Sequence, residues 1–211
     1  MTEKLENWFA QMPVVAILRG VRPEEVLEIG EALYSAGIGI IEVPLNSPEP
    51  LTSIKTLAQA MGDRCVIGAG TVLTEADVVG VAAAGGEIIV SPNTNLVVID
   101  RSLEAGLVPM PGWATATDAF AAYQAGARYL KLFPAATYGS GHIKGVRTVL
   151  PNDCKLLAVG GVGADATDEW LQAGIDGFGI GSEIYKPGYS AEQVYQSAAA
   201  IVAAITAVKG S

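Results

Sequence analysis

The chain has 211 residues, half of them apolar, and a formal charge of −9, enough for a sizeable core in one domain over residues 1–211. An acidic chain with no basic run argues against nucleic acid and anionic membrane as partners, though a locally positive site could still hold a small anion. No apolar run approaches the roughly 18 residues of a membrane span. The first nine residues lack the basic-then-apolar pattern of a signal peptide, and Cys65 and Cys154 show no metal or redox spacing, so the sequence reads as a cytoplasmic protein with reduced thiols.

Along the chain, Ala-Gly pairs recur with their glycines at 37, 85, 106, 126 and 174. Each closes an amphipathic stretch and precedes a short apolar run, as a left-handed helix cap before a strand would. The long gaps are about double the short ones, and the shorter period is that of one strand plus one helix. Counting on this basis predicts eight strands, at 14–18, 39–43, 65–68, 87–90, 107–110, 128–132, 156–159 and 177–180. Helices are predicted near 23–36, 50–60, 75–83, 96–105, 117–125, 143–150, 165–173 and 191–208. The strands are near-continuously apolar, as parallel strands buried on both faces are. Eight such units without a polar linker predict a single closed (β/α)8 TIM barrel of the α/β class. The rival is an open doubly wound sheet, but the glycines at 68 and 70 lack the third glycine of a dinucleotide fingerprint. The last helix carries Val194, Ala198, Ile201, Ile205 and Val208 on one face, for packing on the barrel or for a subunit contact.

In such a barrel the reacting groups sit at the carboxyl ends of the strands. Lys131 stands in the sixth predicted strand among Tyr129, Leu130, Leu132 and Phe133, where a permanent charge is costly unless it is paired, partly deprotonated or used in chemistry. Of the seven lysines, Lys4 and Lys209 are near the termini and Lys55 and Lys144 lie on helices. Lys155 enters a strand at the far rim, and Lys186 follows the last strand in a Pro-Gly loop. By parity, if Lys131 faces inward so do Tyr129 and Phe133, and if Glu42 faces inward so does Ile40. The two could form a structural ion pair or a catalytic one, and catalysis is the reading we favour because perturbed pairs cluster at functional sites. A neutral buried lysine is suited to attack a ketone and form a Schiff base.

Other candidates lie on the same rim. Gly160-Gly161 and Gly181-Ser182 follow the last two strands, where phosphate sites commonly form. Thr71 could line the site or cap the next helix, a role for which Thr74 competes. Arg19 could bind a carboxylate or be a surface residue. His142 is expected to be solvated. Trp113 and Thr115 could line the mouth, and no metal site is expected.

In chain order, ILRG at 17–20, IEVPLNSP at 41–48, IGAGTVL at 67–73, LKLFP at 130–134, AVGGV at 158–162 and GIGS at 179–182 together resemble the 2-keto-3-deoxy-6-phosphogluconate and -galactonate aldolases. The resemblance implies a class I aldolase without cofactor, usually a trimer of (β/α)8 barrels, acting on a phosphorylated keto acid. It implies Lys131 as the Schiff-base lysine and Glu42 as general acid and base. Thr71 would hold the carboxylate, and Gly160, Gly161, Gly181 and Ser182 the phosphate. The chain is similar to the galactonate branch, since Asn46 stands where the gluconate branch has arginine and Val159 where it has threonine, with Arg19 supplying the cation instead. The gluconate epimer as main substrate, a phosphosugar isomerase or epimerase using Glu42 as base, and a sugar-phosphate binding protein remain as alternatives.

Overall fold

A computed structural model describes residues 3–209, so the expected domain ends at residues 1–2 and 210–211 lie outside the described residues. The chain alternates strands β1 (Val14–Ile17), β2 (Ile40–Pro44), β3 (Val66–Gly70), β4 (Ile88–Val90), β5 (Val108–Met110), β6 (Gly112–Trp113), β7 (Tyr129–Leu132), β8 (Lys155–Val159) and β9 (Gly177–Ile180) with helices. All pairings are parallel, in the order β5-β4-β3-β2-β1-β9-β8-β7-β6. The first and last strands of that order are separated by Pro111 alone, so the sheet comes round on itself. The fifth predicted run, 107–110, is thus followed beyond Pro111 by a short further strand, β6, in what was expected to be a loop. Pro111 has no N–H to give the ladder, and its carbonyl accepts instead from Lys131 N–H across the closure.

The helices are α1 (Glu3–Gln11), α2 (Val26–Ser35), α3 (Pro50–Met61), α4 (Glu75–Ala83), α5 (Leu96–Glu104), α6 (Ala116–Gln124), α7 (Ala135–Tyr138), α8 (Ser140–Arg147), α9 (Thr167–Gln172) and α10 (Ala191–Lys209). The glycines of the Ala-Gly pairs all have positive φ, between 73° and 101°, which is why glycine recurs there. The last helix buries Val194, Ala198, Ile201 and Ile205 and packs mainly on α2. Sequence reasoning named no helix at α1. Leu5 and Phe9 on its inner face close the amino-terminal end of the barrel, where Phe9 meets Tyr129 edge-on at 5.1 Å. The spacing of Leu5, Trp8, Phe9 and Met12 carried that signal.

Two apolar layers result. The outer layer packs the helices on the sheet and includes both cysteines, whose thiols burial pushes up to about 11 for Cys65 and about 12 for Cys154. The inner layer holds Val15, Ile17, Ile40, Val66, Ile88 and Val90 with Met110, Tyr129, Leu157 and Val159. These alternate along their strands with outer-layer residues, as the parity of a barrel demands. Room inside is tight at Gly68 on β3, where an added Cβ would stand 2.2 Å from the Ile88 carbonyl oxygen.

Gly68→Ala should therefore destabilise the protein by about 1–3 kcal/mol in urea unfolding, because strand backbone has to move to admit the methyl. Gly145→Ala, within α8 where a Cβ meets nothing within 4 Å, should leave stability unchanged or raise it by up to about 1 kcal/mol. Equal midpoints for the two variants would contradict this account of the interior.

Candidate active site

β7 carries Lys131 inward on the same face as Tyr129 and, one residue beyond the strand, Phe133. The lysine is 6% exposed, and its Nζ lies 4.7 Å from the Phe133 ring centroid. β2 carries Glu42 inward above Ile40; it is 1% exposed, and its Oε2 has no hydrogen-bond partner among the described residues. Its room comes from Gly70 on β3, where a Cβ would stand 1.6 Å from that oxygen. Both charged groups border a small internal space of about 10 Å³, walled by Val15, Val90, Met110 and Leu157. A space that size is close to the smallest able to hold one water.

The expected choice between a structural ion pair and a catalytic pair meets a plain observation. Lys131 and Glu42 form no salt bridge with each other among the described residues. Burial pushes the Glu42 carboxyl from 4.5 up to about 7, against the pull of the Lys131 and Arg19 cations. Burial also holds the Lys131 amine below its ordinary value; Arg19 acts in the same direction and Glu42 opposes it. The two groups are thus driven toward each other's range, which eases proton exchange near neutrality.

Above them opens a cleft of about 580 Å³. Of the expected site residues, Arg19, Thr71, Lys131, Gly160, Gly161, Gly181 and Ser182 line it, while Glu42 lies just beneath. Thr71 is half-buried with φ 57°, a left-handed conformation that costs a non-glycine residue on the order of 1 kcal/mol. It is free of the cap role, because Thr74 and Asp77 form the capping box of α4. Arg19 is exposed, and its Nη1 donates to Asn46 Oδ1 at 2.7 Å. The next residue's N–H donates to Ser47 Oγ at 2.9 Å, so the loops after β1 and β2 hold the guanidinium between them.

At the other end, Gly160 and Gly161 take φ 94° and 72° in succession. A Cβ on Gly161 would press to 2.7 Å from the Ala136 methyl, so this turn needs glycine on both counts. The N–H groups of Gly161 and Ser182 donate to no acceptor among the described residues. Such turns of free amides form anion-binding concavities. At Gly181 a Cβ would come no closer than 3.8 Å to Ile17, so glycine there keeps the cleft open.

Three expectations are corrected. Trp113 does not line the mouth; its outward side chain is buried between sheet and helices. Thr115 instead caps α6 with Asp118. His142 is not freely solvated but half-buried, with its ring 5.5 Å from Trp113 and 5.3 Å from Tyr138. One residue was missed: Lys186 lines the cleft although its Pro-Gly loop suggested otherwise. Its position four residues past the Gly-Ser pair was the available signal. Among the described residues, no three His, Cys, Asp or Glu side chains converge as a metal site would.

A buried amine and carboxylate at the carboxyl end of a parallel barrel, beneath a cleft with a cationic end and a glycine-lined end, define the class of a Schiff-base aldolase. Residues 5–201 match the KDPG and KHG aldolase family, and the chain belongs to it. It is a lyase of the class I type. Over 198 residues it is 44% identical to the 2-dehydro-3-deoxy-6-phosphogalactonate aldolase of Escherichia coli K12, covering 94% of this chain and 97% of that one. A solved structure of native KDPGal is 43% identical and superposes with a TM-score of 0.94, covering 95% and 98%. The KDPG aldolase of Legionella pneumophila, with pyruvate captured as a covalent carbinolamine, is 27% identical with a TM-score of 0.81 and covers 98% of each chain.

Gly70→Ala should cut turnover by about a hundred-fold through displacement of Glu42, with the circular dichroism spectrum unchanged. Normal turnover would mean that the carboxylate position does not matter. The raised pKa of Glu42 also has a signed consequence for stability. The folded protein keeps this proton up to about pH 7, while the unfolded chain releases it near 4.5, so wild-type stability falls as pH rises through that window. Glu42→Gln should match wild type below pH 4.5 and gain on the order of 3 kcal/mol by pH 7.5, read by urea titration at both pH values. A gain that shrinks with rising pH would contradict the burial argument.

Proposed function

We propose that this chain is a 2-dehydro-3-deoxy-6-phospho-D-galactonate aldolase releasing pyruvate and D-glyceraldehyde 3-phosphate. We take it as one catalytic domain over residues 1–211 and as a cytoplasmic homotrimer, the trimer being carried over from the family resemblance. The observation that carries the reaction is the buried Lys131 beside a Glu42 that is equally buried yet not ion-paired with it. The Legionella carbinolamine supports covalent capture of pyruvate in this fold.

In this reading the neutral Lys131 Nζ attacks C2 of the keto acid. Glu42 passes the protons that turn the carbinolamine into an iminium and release water. It then takes the C4 hydroxyl proton while the C3–C4 electrons move into the iminium. Glyceraldehyde 3-phosphate leaves, C3 of the enamine regains a proton, and water returns pyruvate and the free amine. Arg19 and Thr71 hold the carboxylate. The amides of Gly160, Gly161, Gly181 and Ser182 with the Ser182 hydroxyl hold the phosphate, so binding energy far from the reacting bond positions it. The galactonate epimer is preferred on two grounds: the name of the Escherichia coli relative, and Val159, whose side chain lines the cleft without a hydroxyl to offer the C4 centre.

Incubation with pyruvate and borohydride should leave a reduced adduct on the Lys131 peptide, and Lys131→Met should show neither adduct nor turnover above background. An adduct on another lysine would overturn the assignment. Steady-state kinetics should favour the galactonate over the gluconate epimer by about ten- to a hundred-fold in kcat/KM. Equal or reversed values would overturn the substrate reading.

A further inference from the structure

The glycine-lined end of the cleft offers a phosphate only neutral donors: backbone N–H groups and one hydroxyl. A phosphate monoester carries about −1.5 to −2 charges at pH 7. Of the three cations that line the cleft, Arg19 and Lys131 are already given to the carboxylate and the reacting carbon in the reading above. Glu183 also borders the cleft and adds negative charge to this end. A protein of net charge −9 therefore needs a local cation there.

Lys186 is that cation. Its backbone is pinned: Ile184 N–H and Tyr185 N–H both donate to the Gly181 carbonyl, and Tyr189 N–H donates to the Lys186 carbonyl at 3.0 Å. Tyr185 is buried, and its hydroxyl donates to Glu25 at 2.9 Å. Pro187 abuts Gly20, where a Cβ would stand 2.9 Å from its ring, so the turn closes against the loop after β1. The Lys186 side chain is by contrast exposed and in no salt bridge among the described residues, with Nζ 6.0 Å from the Tyr189 ring centroid. A fixed turn thus carries an ammonium without a carboxylate partner, on a flexible four-carbon stem at the lip of the same cleft as Gly161 and Ser182.

We propose that Lys186 folds over the cleft lip onto the bound phosphate, supplying the charge that the glycine turn lacks and selecting phosphorylated over unphosphorylated substrates. This rests on the aldolase reading above. The test runs the reaction toward condensation, with saturating pyruvate and either D-glyceraldehyde 3-phosphate or D-glyceraldehyde as acceptor. Lys186→Gln should raise KM for the phosphorylated acceptor about ten-fold, the low end for one charge-assisted hydrogen bond, with kcat and the KM for pyruvate within two-fold of wild type. Its kcat/KM for D-glyceraldehyde should stay within two-fold, and Lys186→Arg should restore most of the lost affinity. Added salt should weaken use of the phosphorylated acceptor in wild type more than in the glutamine variant. An equal loss on both acceptors would make Lys186 merely structural, and no loss on either would make it a bystander; both overturn the proposal. Failure of wild type to condense either acceptor would instead count against the aldolase reading.

Discussion

An amine and a carboxyl group are buried in one apolar barrel interior without forming an ion pair, and the rest of the site follows from that arrangement. A close ion pair would fix Lys131 as an ammonium and Glu42 as a carboxylate, leaving neither free for chemistry. Keeping them in the same low-dielectric space but out of contact leaves desolvation as the dominant force on both. The amine is then less costly to deprotonate and the carboxyl less costly to protonate, which suits the roles of nucleophile and proton shuttle proposed for them. The cost is borne by the core around them, where inner and outer layers are closed with apolar side chains and α1 seals the far end.

Small residues create the space in which this works. Gly70 makes room for the carboxylate, Gly68 lets β3 and β4 approach, and Gly179 leaves room for Val159, whose Cγ2 a Cβ there would meet at 2.7 Å. Gly70 and Gly179 lie on the inner face toward the carboxyl ends of β3 and β9, below the cleft, while the opposite end of the interior is filled by Leu5 and Phe9. The barrel is therefore a packed core at one end and a reaction vessel at the other, without any change of fold between them.

The two ends of the cleft differ in charge. Arg19, held by Asn46, makes one end cationic, and the Gly160-Gly161 turn with Ser182 makes the other a lining of neutral donors. The substrate proposed for it is anionic at both ends, so its length is fixed against the barrel before the central bond is strained. An acidic surface elsewhere is compatible with this because screening confines each contact to its own neighbourhood.

The sequence determined the alternation of strands and helices, which neighbours share a strand face with Lys131 and with Glu42, and the rim on which the glycine turns lie. All three follow from local rules: glycine caps that demand positive φ, apolar runs that demand burial, and the two-residue repeat of a strand. The tertiary structure alone decided the break at Pro111, because the closing pairing of β6 on β7 joins segments from both sides of a helix. It alone decided that Lys131 and Glu42 share a space without an ion pair, since that separation depends on barrel packing and on the missing side chain at Gly70. It also brought Lys186 to the cleft and withdrew Trp113 from it. A loop's direction is set by what it packs against, here Gly20 against Pro187, and a contact so distant in the chain leaves no periodic trace in the residues between them.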